Sequence, residues 1–197
     1  MHRLILLSLS LIPLWLSGQS LRHIPGVQFL DLQIATLPQA ATPYKYQLKA
    51  AYGYYQDRRL SLQAGLLGEK FQYQREFEIG LVDAAGDSLF SLSSERINYQ
   101  ALHAFVSGHY TFLSVDEQLF LNVMAGLRGG YESAQASSPD VRPKAQFSWG
   151  VMLAPEAELY LGSQFALVAR LQGELLLNTA LQTRLSPSLS FRFCFKP

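Results

Sequence analysis

The sequence alternates bulky apolar residues with small or polar ones in eight stretches of about 9 to 15 residues, longer than the usual strand of about 5 or 6. The clearest stretch, 118–131, reads QLFLNVMAGLRGGY. Successive strand side chains point to opposite faces, so one face is apolar and the other is small or polar. The apolar face comprises Leu119, Leu121, Val123, Ala125, Leu127 and Tyr131, and the other comprises Asn122, Met124, Gly126, Arg128 and Gly130. Only helices and closed barrels satisfy their backbone groups inside a bilayer, so this repetition favours a transmembrane β-barrel.

The first 18 residues have the features of a secretory signal peptide. Arg3 supplies a positive charge, and residues 4–16 form a mostly apolar run that ends before two small residues. The run is shorter than the roughly 20 residues that a transmembrane helix needs. We therefore expect residues 1–18 to be removed on export and residues 19–197 to form a single domain, a size that fits one barrel.

Charge and cysteine content exclude several functions. Charged residues are 16% of the chain and the formal net charge is +1, which argues against a nucleic-acid-binding surface. Cys194 is the single cysteine, so no intrachain disulfide forms and the hydrogen-bond ladder must hold the fold. The sequence contains no glycine-rich phosphate loop, paired-cysteine motif or calcium loop, so we expect no cofactor and no metal ion.

The pattern predicts an all-β fold, an eight-stranded antiparallel up-and-down transmembrane β-barrel. The expected strands cover 27–35, 44–54, a third strand from residue 59, 98–112, 118–131, 146–160, 164–177 and 186–195. The connections alternate in length: 55–58, 113–117 and 161–163 are short, whereas 36–43, 78–97, 132–145 and 178–185 are longer. Short turns on one rim and long loops on the other are typical of an outer-membrane barrel with both termini in the periplasm.

Two strands carry irregularities. In the third, Leu60, Leu62 and Leu66 are in phase but Phe71 falls on the other parity, so we predict a bulge across 65–68. In the sixth, Pro155 cannot donate to the ladder. We therefore expect a bulge or a locally open pair at this proline.

The charged residues of the strands decide which face meets lipid. With the opposite phase, each Lys or Arg near the midplane would cost about 2 to 4 kcal/mol, and the sum would rival the roughly 5 to 15 kcal/mol that stabilises a fold. The charges therefore face inward. A soluble barrel of lipocalin type is the alternative, but its solvated wall would carry too few charges. That wall would consist of Phe105, Phe120, Gly126, Gly130, Gly150 and Met152.

An eight-stranded barrel has an interior that side chains fill, so we expect a plug and not a pore. Buried charges need partners, which predicts a polar network in the lumen with a structural role. The expected members of this network are Lys45, Lys49, Arg128, Glu156, Glu158, Arg170, Glu174 and Arg192.

Histidine and serine on the fourth strand raise the question of catalysis. His103, Ser107 and His109 share one face, and some small outer-membrane barrels that modify lipid A use His and Ser. Such a site needs a nucleophile and a base in contact, a third group that orients them, and an opening toward lipid. These three residues point toward the lumen instead. Two histidines six residues apart also lack an evident third metal ligand. We expect no enzymatic activity.

Four segments carry a resemblance to a known family: GQSLRHIPGVQFLDLQIA, AGLRGGYES, FSWGVMLAPEAELYLGSQFALVARLQGELLL and LSPSLSFRF. In these segments the chain resembles the TraO family of conjugative-transposon proteins from Bacteroidota, and the resemblance covers nearly all of the mature chain. The chain departs from the pattern of the family at Pro155 and at its last three residues, Phe195, Lys196 and Pro197. The resemblance implies an outer-membrane component of a conjugative DNA-transfer apparatus, with other proteins of that apparatus as partners and no catalytic residues to carry over.

A filled barrel cannot conduct a DNA strand, so we expect a scaffold or anchor whose contacts lie in its loops. The loop 78–97 is more apolar than solvation requires, and exposed apolar patches often mark contact sites. Its candidate contact residues are Leu81, Val82, Leu89, Phe90 and Leu92. Alternatively, residues 88–93 extend the hairpin above the membrane. A general structural or adhesion barrel with partner-binding loops is the second functional hypothesis, and a lipid-modifying enzyme is the third.

Overall fold

The computed structural model describes residues 23–36, 46–82, 88–136, 144–177 and 183–196, with side chains outside 73–95, 136 and 144. Within these residues eight antiparallel strands pair in chain order and close into a barrel, which confirms the predicted fold class. The strands are β1 (Gln28–Thr36), β2 (Tyr46–Tyr55), β3 (Leu60–Val82), β4 (Ser88–Val115), β5 (Leu119–Ala136), β6 (Lys144–Tyr160), β7 (Phe165–Leu177) and β8 (Thr183–Phe195). No helix in these ranges is long and apolar enough to cross a membrane.

The first and last strands close the barrel. β1 pairs with β8 from Gln28 opposite Phe195 to Ala35 opposite Ser188. The first and last described residues, His23 and Lys196, therefore lie at the rim that carries the short turns. In the β2–β3 turn, the Asp57 carboxylate accepts hydrogen bonds from the backbone N–H groups of Arg59 at 2.6 Å and Leu60 at 2.7 Å. These two bonds hold the pKa of Asp57 below its ordinary value.

Burial alternates along the strands with a period of two. On β5, Leu127 is 56% exposed and Tyr131 69% exposed, whereas Met124 is fully buried and Arg128 is 3% exposed. β8 repeats the pattern, with its serines and arginines buried and its leucines and phenylalanines outside. The barrel is therefore apolar on its outer face and largely polar inside.

The bulge predicted across residues 65–68 is absent, and that prediction is wrong. The β3–β4 register runs without a shift from Leu60 opposite Tyr110 to Val82 opposite Ser88. Phe71 keeps the phase of Leu67 and points into the lumen, where its ring stacks on Tyr99 with centroids 4.5 Å apart. Phe71 therefore falls on the inward face because an aromatic side chain fills the lumen there, and not because the strand has slipped. The β4–β5 pair has a register shift that the sequence did not indicate, between Thr111 and Leu113.

Pro155 interrupts one ladder without displacing it. The β6–β7 pairing stops at Leu153 opposite Gly173 and resumes at Glu156 opposite Arg170 in the same register. On its other side Pro155 remains opposite Val123 of β5. The proline therefore produces a locally open pair, one of the two outcomes expected from its missing N–H.

Residues 78–97 are mostly strand, so the prediction of a loop there is wrong and the hairpin extension is correct. β3 and β4 remain paired as far as Val82 opposite Ser88, beyond Lys70, where the pairing of β3 with β2 ends. β5 pairs with β4 only as far as Ile97. The backbone thus forms a two-stranded ribbon that continues about 30 Å past β5, at about 3.4 Å per residue.

Several predicted features lie outside the described residues. They are the signal peptide 1–18, Lys45, residues 37–43 of the first predicted loop, residues 137–143 of the loop 132–145, and residues 178–182 of the loop 178–185. The latter two loops are shorter than expected, because β5 continues to Ala136, β6 begins at Lys144 and β8 begins at Thr183.

Candidate functional site

The inward-facing residues of all eight strands fill the lumen with a network of ion pairs and hydrogen bonds. At the rim with the short turns, Glu158 accepts hydrogen bonds from Arg192 Nη1 at 2.8 Å and from the Tyr55 hydroxyl at 3.0 Å. Asn122 Nδ2 donates to the same carboxylate at 3.2 Å. A buried carboxylate needs such partners, and here they come from β2, β5 and β8.

His23 closes this rim from the segment before β1. Its Nε2 lies 3.2 Å from Glu158 Oε2, and its ring stacks on Phe120 with centroids 3.9 Å apart. His23 has a positive φ of 46°, a conformation that few residues other than glycine adopt. The sequence analysis missed this residue, because a single histidine outside the alternating stretches gives no signal of where its side chain points.

Arg170 is the centre of the middle layer. Its Nη1 donates to Gln33 at 2.6 Å and to Ser190 at 3.1 Å, and its Nη2 donates to Asp31 Oδ2 at 2.5 Å. Its Nε donates to Glu156. The planar guanidinium thus joins β7 to β1, β6 and β8 through three separate nitrogen atoms, whereas lysine would offer a single ammonium nitrogen.

Ser107, His109 and Glu156 form the arrangement of a catalytic triad. Ser107 Oγ lies 3.3 Å from His109 Nε2, and His109 Nδ1 lies 2.7 Å from Glu156 Oε2. The contact between nucleophile and base is therefore present, and a third group orients the base. The opening toward lipid is not, because Ser107 and His109 are each 2% exposed and Gln63 Nε2 donates to Ser107 Oγ at 3.1 Å. Glu156 is also committed to Arg170.

Glu69 organises the layer nearest the long hairpin. It accepts hydrogen bonds from Gln47 at 2.8 Å, from Arg128 Nη1 at 2.9 Å and from Arg184 Nη1. Arg128 Nη1 also donates to Glu174 at 2.7 Å. One carboxylate of β3 therefore joins β2, β5 and β8 across the lumen.

The structure places the described members of the predicted lumen network inside the barrel. These are Lys49, Arg128, Glu156, Glu158, Arg170, Glu174 and Arg192. All of them except Lys49 take part in ion pairs. Lys49 Nζ lies over the Phe105 ring, 4.2 Å from the ring centroid, and the face of an aromatic ring attracts a cation.

His103 was the remaining catalytic candidate of the fourth strand. Its Nε2 lies 2.9 Å from Ser148 Oγ.

The sequence analysis omitted four charged residues of the network, Asp31, Glu69, Glu132 and Arg184. Asp31 falls between Leu30 and Leu32 on the inward parity, so its phase was a usable signal. Glu69 follows the segment that was wrongly read as a bulge. Glu132 and Arg184 lie in segments that were predicted to be loops.

The packing of these layers leaves the lumen filled with cross-linked side chains. Phe29, Met124, Val168 and Leu176 are fully buried between the charged groups. Within the described ranges no three His, Cys, Asp or Glu side chains are arranged to hold a metal ion. The arrangement links the strands across the interior and fills that interior with side chains.

The candidate contact residues Leu81, Val82, Leu89, Phe90 and Leu92 lie in the ribbon, where the backbone alone is described. The register places Leu81 opposite Leu89 and Glu78 opposite Leu92. The ribbon therefore carries all five residues on adjoining strands at the end farthest from the termini.

Comparisons with known proteins identify the architecture. The crystal structure of the N-terminal β-barrel domain of Pseudomonas aeruginosa OprF superposes with a TM-score of 0.54, at 15% identity over 87% of this chain and 98% of that domain. The fold is that of an eight-stranded outer-membrane barrel. Ail, the attachment invasion locus protein of Yersinia pestis, superposes with a TM-score of 0.44 at 9% identity, over 87% of this chain and all of that chain. No protein-family model and no curated protein matches the sequence.

Proposed function

We propose that the chain is a non-enzymatic outer-membrane anchor of a conjugative DNA-transfer apparatus, exported through a cleaved signal peptide. The filled lumen carries this proposal, because Arg170, Arg128 and Arg192 each bridge strands across the interior and leave no passage for a nucleic-acid strand. The protein therefore serves transfer by holding or contacting other components. The wide apolar belt of its outer face matches a bilayer.

The role in conjugation rests on the resemblance to the TraO family together with this anchor architecture. A donor strain that lacks the gene should transfer its conjugative element at a strongly reduced frequency, and the wild-type gene should restore transfer. The Asp57→Asn variant is a suitable control, since Asp57 is fully exposed in the turn at the opposite rim from the ribbon. Unchanged transfer from the deletion strain would remove the conjugation role and leave the barrel intact.

The closed lumen has its own test. Purified protein in a planar lipid bilayer should give no steady conductance steps, because side chains of three charged layers block the interior. Heat-modifiable migration of the same sample on a detergent gel verifies that the barrel is folded. A folded sample with a stable, ohmic conductance would contradict the anchor proposal.

The β3–β4 ribbon favours a second candidate function, a surface contact or adhesion barrel. An isolated two-stranded hairpin is marginally stable in water, and the edge of a β-strand offers backbone groups that another strand can join. In a shortened variant Asn-Gly replaces residues 76–94, so that Arg75 and Glu95, which already pair, flank a two-residue turn. Loss of cell binding with unchanged transfer would favour adhesion, and loss of transfer would favour the conjugative role.

A further inference from the structure

We propose that a groove on the outer face of the barrel binds the phosphorylated glycolipid of the outer leaflet, with Lys70 contacting a phosphate and Gly68 forming the floor under an acyl chain. The groove has a volume of about 400 Å³ and crosses β2 to β6 at the level where the β2–β3 pairing ends. The inference rests on the membrane position in the proposed function and is independent of the role in conjugation.

Two adjacent rows of outward-facing residues give the groove its chemistry. In the lower row Gly68 lies opposite Leu48 on β2 and Leu102 on β4, and Leu102 lies opposite Tyr131 on β5. The leucines are 51% and 60% exposed, so they stand above the glycine as two walls. A Cβ added at Gly68 would meet no atom within 4 Å, which shows that the space between these walls is open. This shape fits a hydrocarbon chain.

The upper row is polar and lies nearer the ribbon. Lys70 is exposed and lies opposite Tyr46 and Gln100, and Gln100 lies opposite Ser133. A cation flanked by a phenol, an amide and a hydroxyl offers the donors that a phosphate group accepts. The upper row therefore matches the polar head of an amphiphile, and the lower row matches its hydrocarbon chain.

Charge complementarity supports an anionic head. No carboxylate occupies the upper row as far as Ala145, and the described residues of the next row are Gln72, Asn98 and Gln135. Glu69 and Glu132 border the groove, but their side chains are buried in the lumen. In these two rows Lys70 thus meets a ligand without a carboxylate beside it on the outer face.

The position of the groove selects the leaflet. The termini lie at the opposite rim, which faces the periplasm in an outer-membrane barrel, so the level of Lys70 corresponds to the outer leaflet. The outer leaflet is where phosphorylated glycolipids are found in such membranes. Tyr46 of the upper row and Tyr131 of the lower row are 40% and 69% exposed, and both suit the aromatic girdle at the interface.

Native mass spectrometry of the full mature chain in detergent tests the proposal, with lipid A, enzymatically dephosphorylated lipid A and phosphatidylglycerol as probes. We expect lipid A to be retained about threefold better than dephosphorylated lipid A, since an exposed ion pair contributes up to about 1 kcal/mol. Phosphatidylglycerol also carries a phosphate, so its retention at the level of lipid A would overturn the assignment to a glycolipid. Lys70→Gln should abolish that preference. Gly68→Leu should lower retention of all three lipids by filling the space, and it should fold normally.

Two matched variants serve as controls. Lys196→Gln removes an exposed lysine at the opposite rim, and Gly173→Leu fills an outward glycine that lies opposite Leu153 and Leu185, with no lysine beside it. Neither should change lipid A retention. Equal retention of the three lipids by the wild type, or equal effects of test and control variants, would overturn the proposal. Heat-modifiable migration of each sample separates this outcome from failure of the barrel to form.

Discussion

Asp31 and Arg192 lie directly opposite each other across the seam where the first and last strands meet, and Asp31 Oδ2 is 3.1 Å from Arg192 Nη2. Both side chains are completely buried. Arg170 of β7 donates to the same carboxylate oxygen. One acid on β1 therefore pairs with cations on two other strands at the point where the barrel closes, and loss of that acid leaves both cations short of a partner.

Asp31→Ala should lower the free energy of unfolding by about 3 kcal/mol or more, since removal of one partner of a buried pair leaves an uncompensated charge. Urea titration of the protein in lipid vesicles measures the change in the free energy of unfolding, with the fluorescence of Trp149 as the signal. Ser186→Ala is the matched control. Ser186 is equally buried on β8, and its hydroxyl has no hydrogen-bond partner among the described residues, so this variant should be within about 0.5 kcal/mol of the wild type. Equal stability of the two variants would mean that the seam pair does not contribute.

Gly65 and Gly68 should respond differently to alanine although they are three residues apart on β3. A Cβ at Gly65 would lie 2.1 Å from the Ala50 carbonyl oxygen and 2.7 Å from Ala51 Cα, so backbone must move. Overpacking of this kind costs about 1 to 3 kcal/mol. Gly68→Ala meets open space and should have little effect. The same urea titration compares the two variants, and a larger loss for Gly68→Ala would contradict the β3 register.

Ser107 should not react with a fluorophosphonate probe in the folded protein, despite its contact with His109. The serine is buried in the lumen and Gln63 also occupies its hydroxyl. Intact-mass measurement of folded protein after probe treatment checks this, with urea-treated protein as the control for nonspecific labelling. Stoichiometric labelling of the folded wild type that is absent from Ser107→Ala would establish a reactive serine and contradict the proposal of a non-enzymatic barrel.

The alternating pattern was sufficient to predict eight strands, their order and the phase of β5, because side-chain direction within a strand depends on neighbouring residues alone. The same local rule failed at Phe71. At Phe71 the rule assigned a large apolar residue to the outer face, whereas the lumen also needs aromatic side chains to fill space beside charged groups. The third strand was therefore divided by a bulge that does not exist.

The contacts of the lumen depend on distances across the barrel that a single strand does not encode. The spacing of Ser107 and His109 places them on one face, but Glu156 comes from β6, which does not pair with β4. His23 was not identified for a similar reason, since it enters the lumen from a segment with no alternation. The pattern predicted which residues point inward, and only the closed structure showed which of them meet.

The position of Trp149 tests the central claim, that the apolar face of the barrel contacts lipid and the charged face lines a closed interior. Trp149 is the single tryptophan of residues 19–197 and is 49% exposed on the outer face of β6. A second variant, Phe120→Trp combined with Trp149→Phe, moves the tryptophan to a buried lumen position beside His23. Each protein is reconstituted in vesicles with and without brominated lipid, whose bromine atoms quench fluorescence on contact.

We expect brominated lipid to quench Trp149 strongly and to leave the tryptophan at position 120 almost unchanged. Strong quenching at position 120 with little effect on Trp149, or equal quenching of both, would contradict the orientation of the barrel wall.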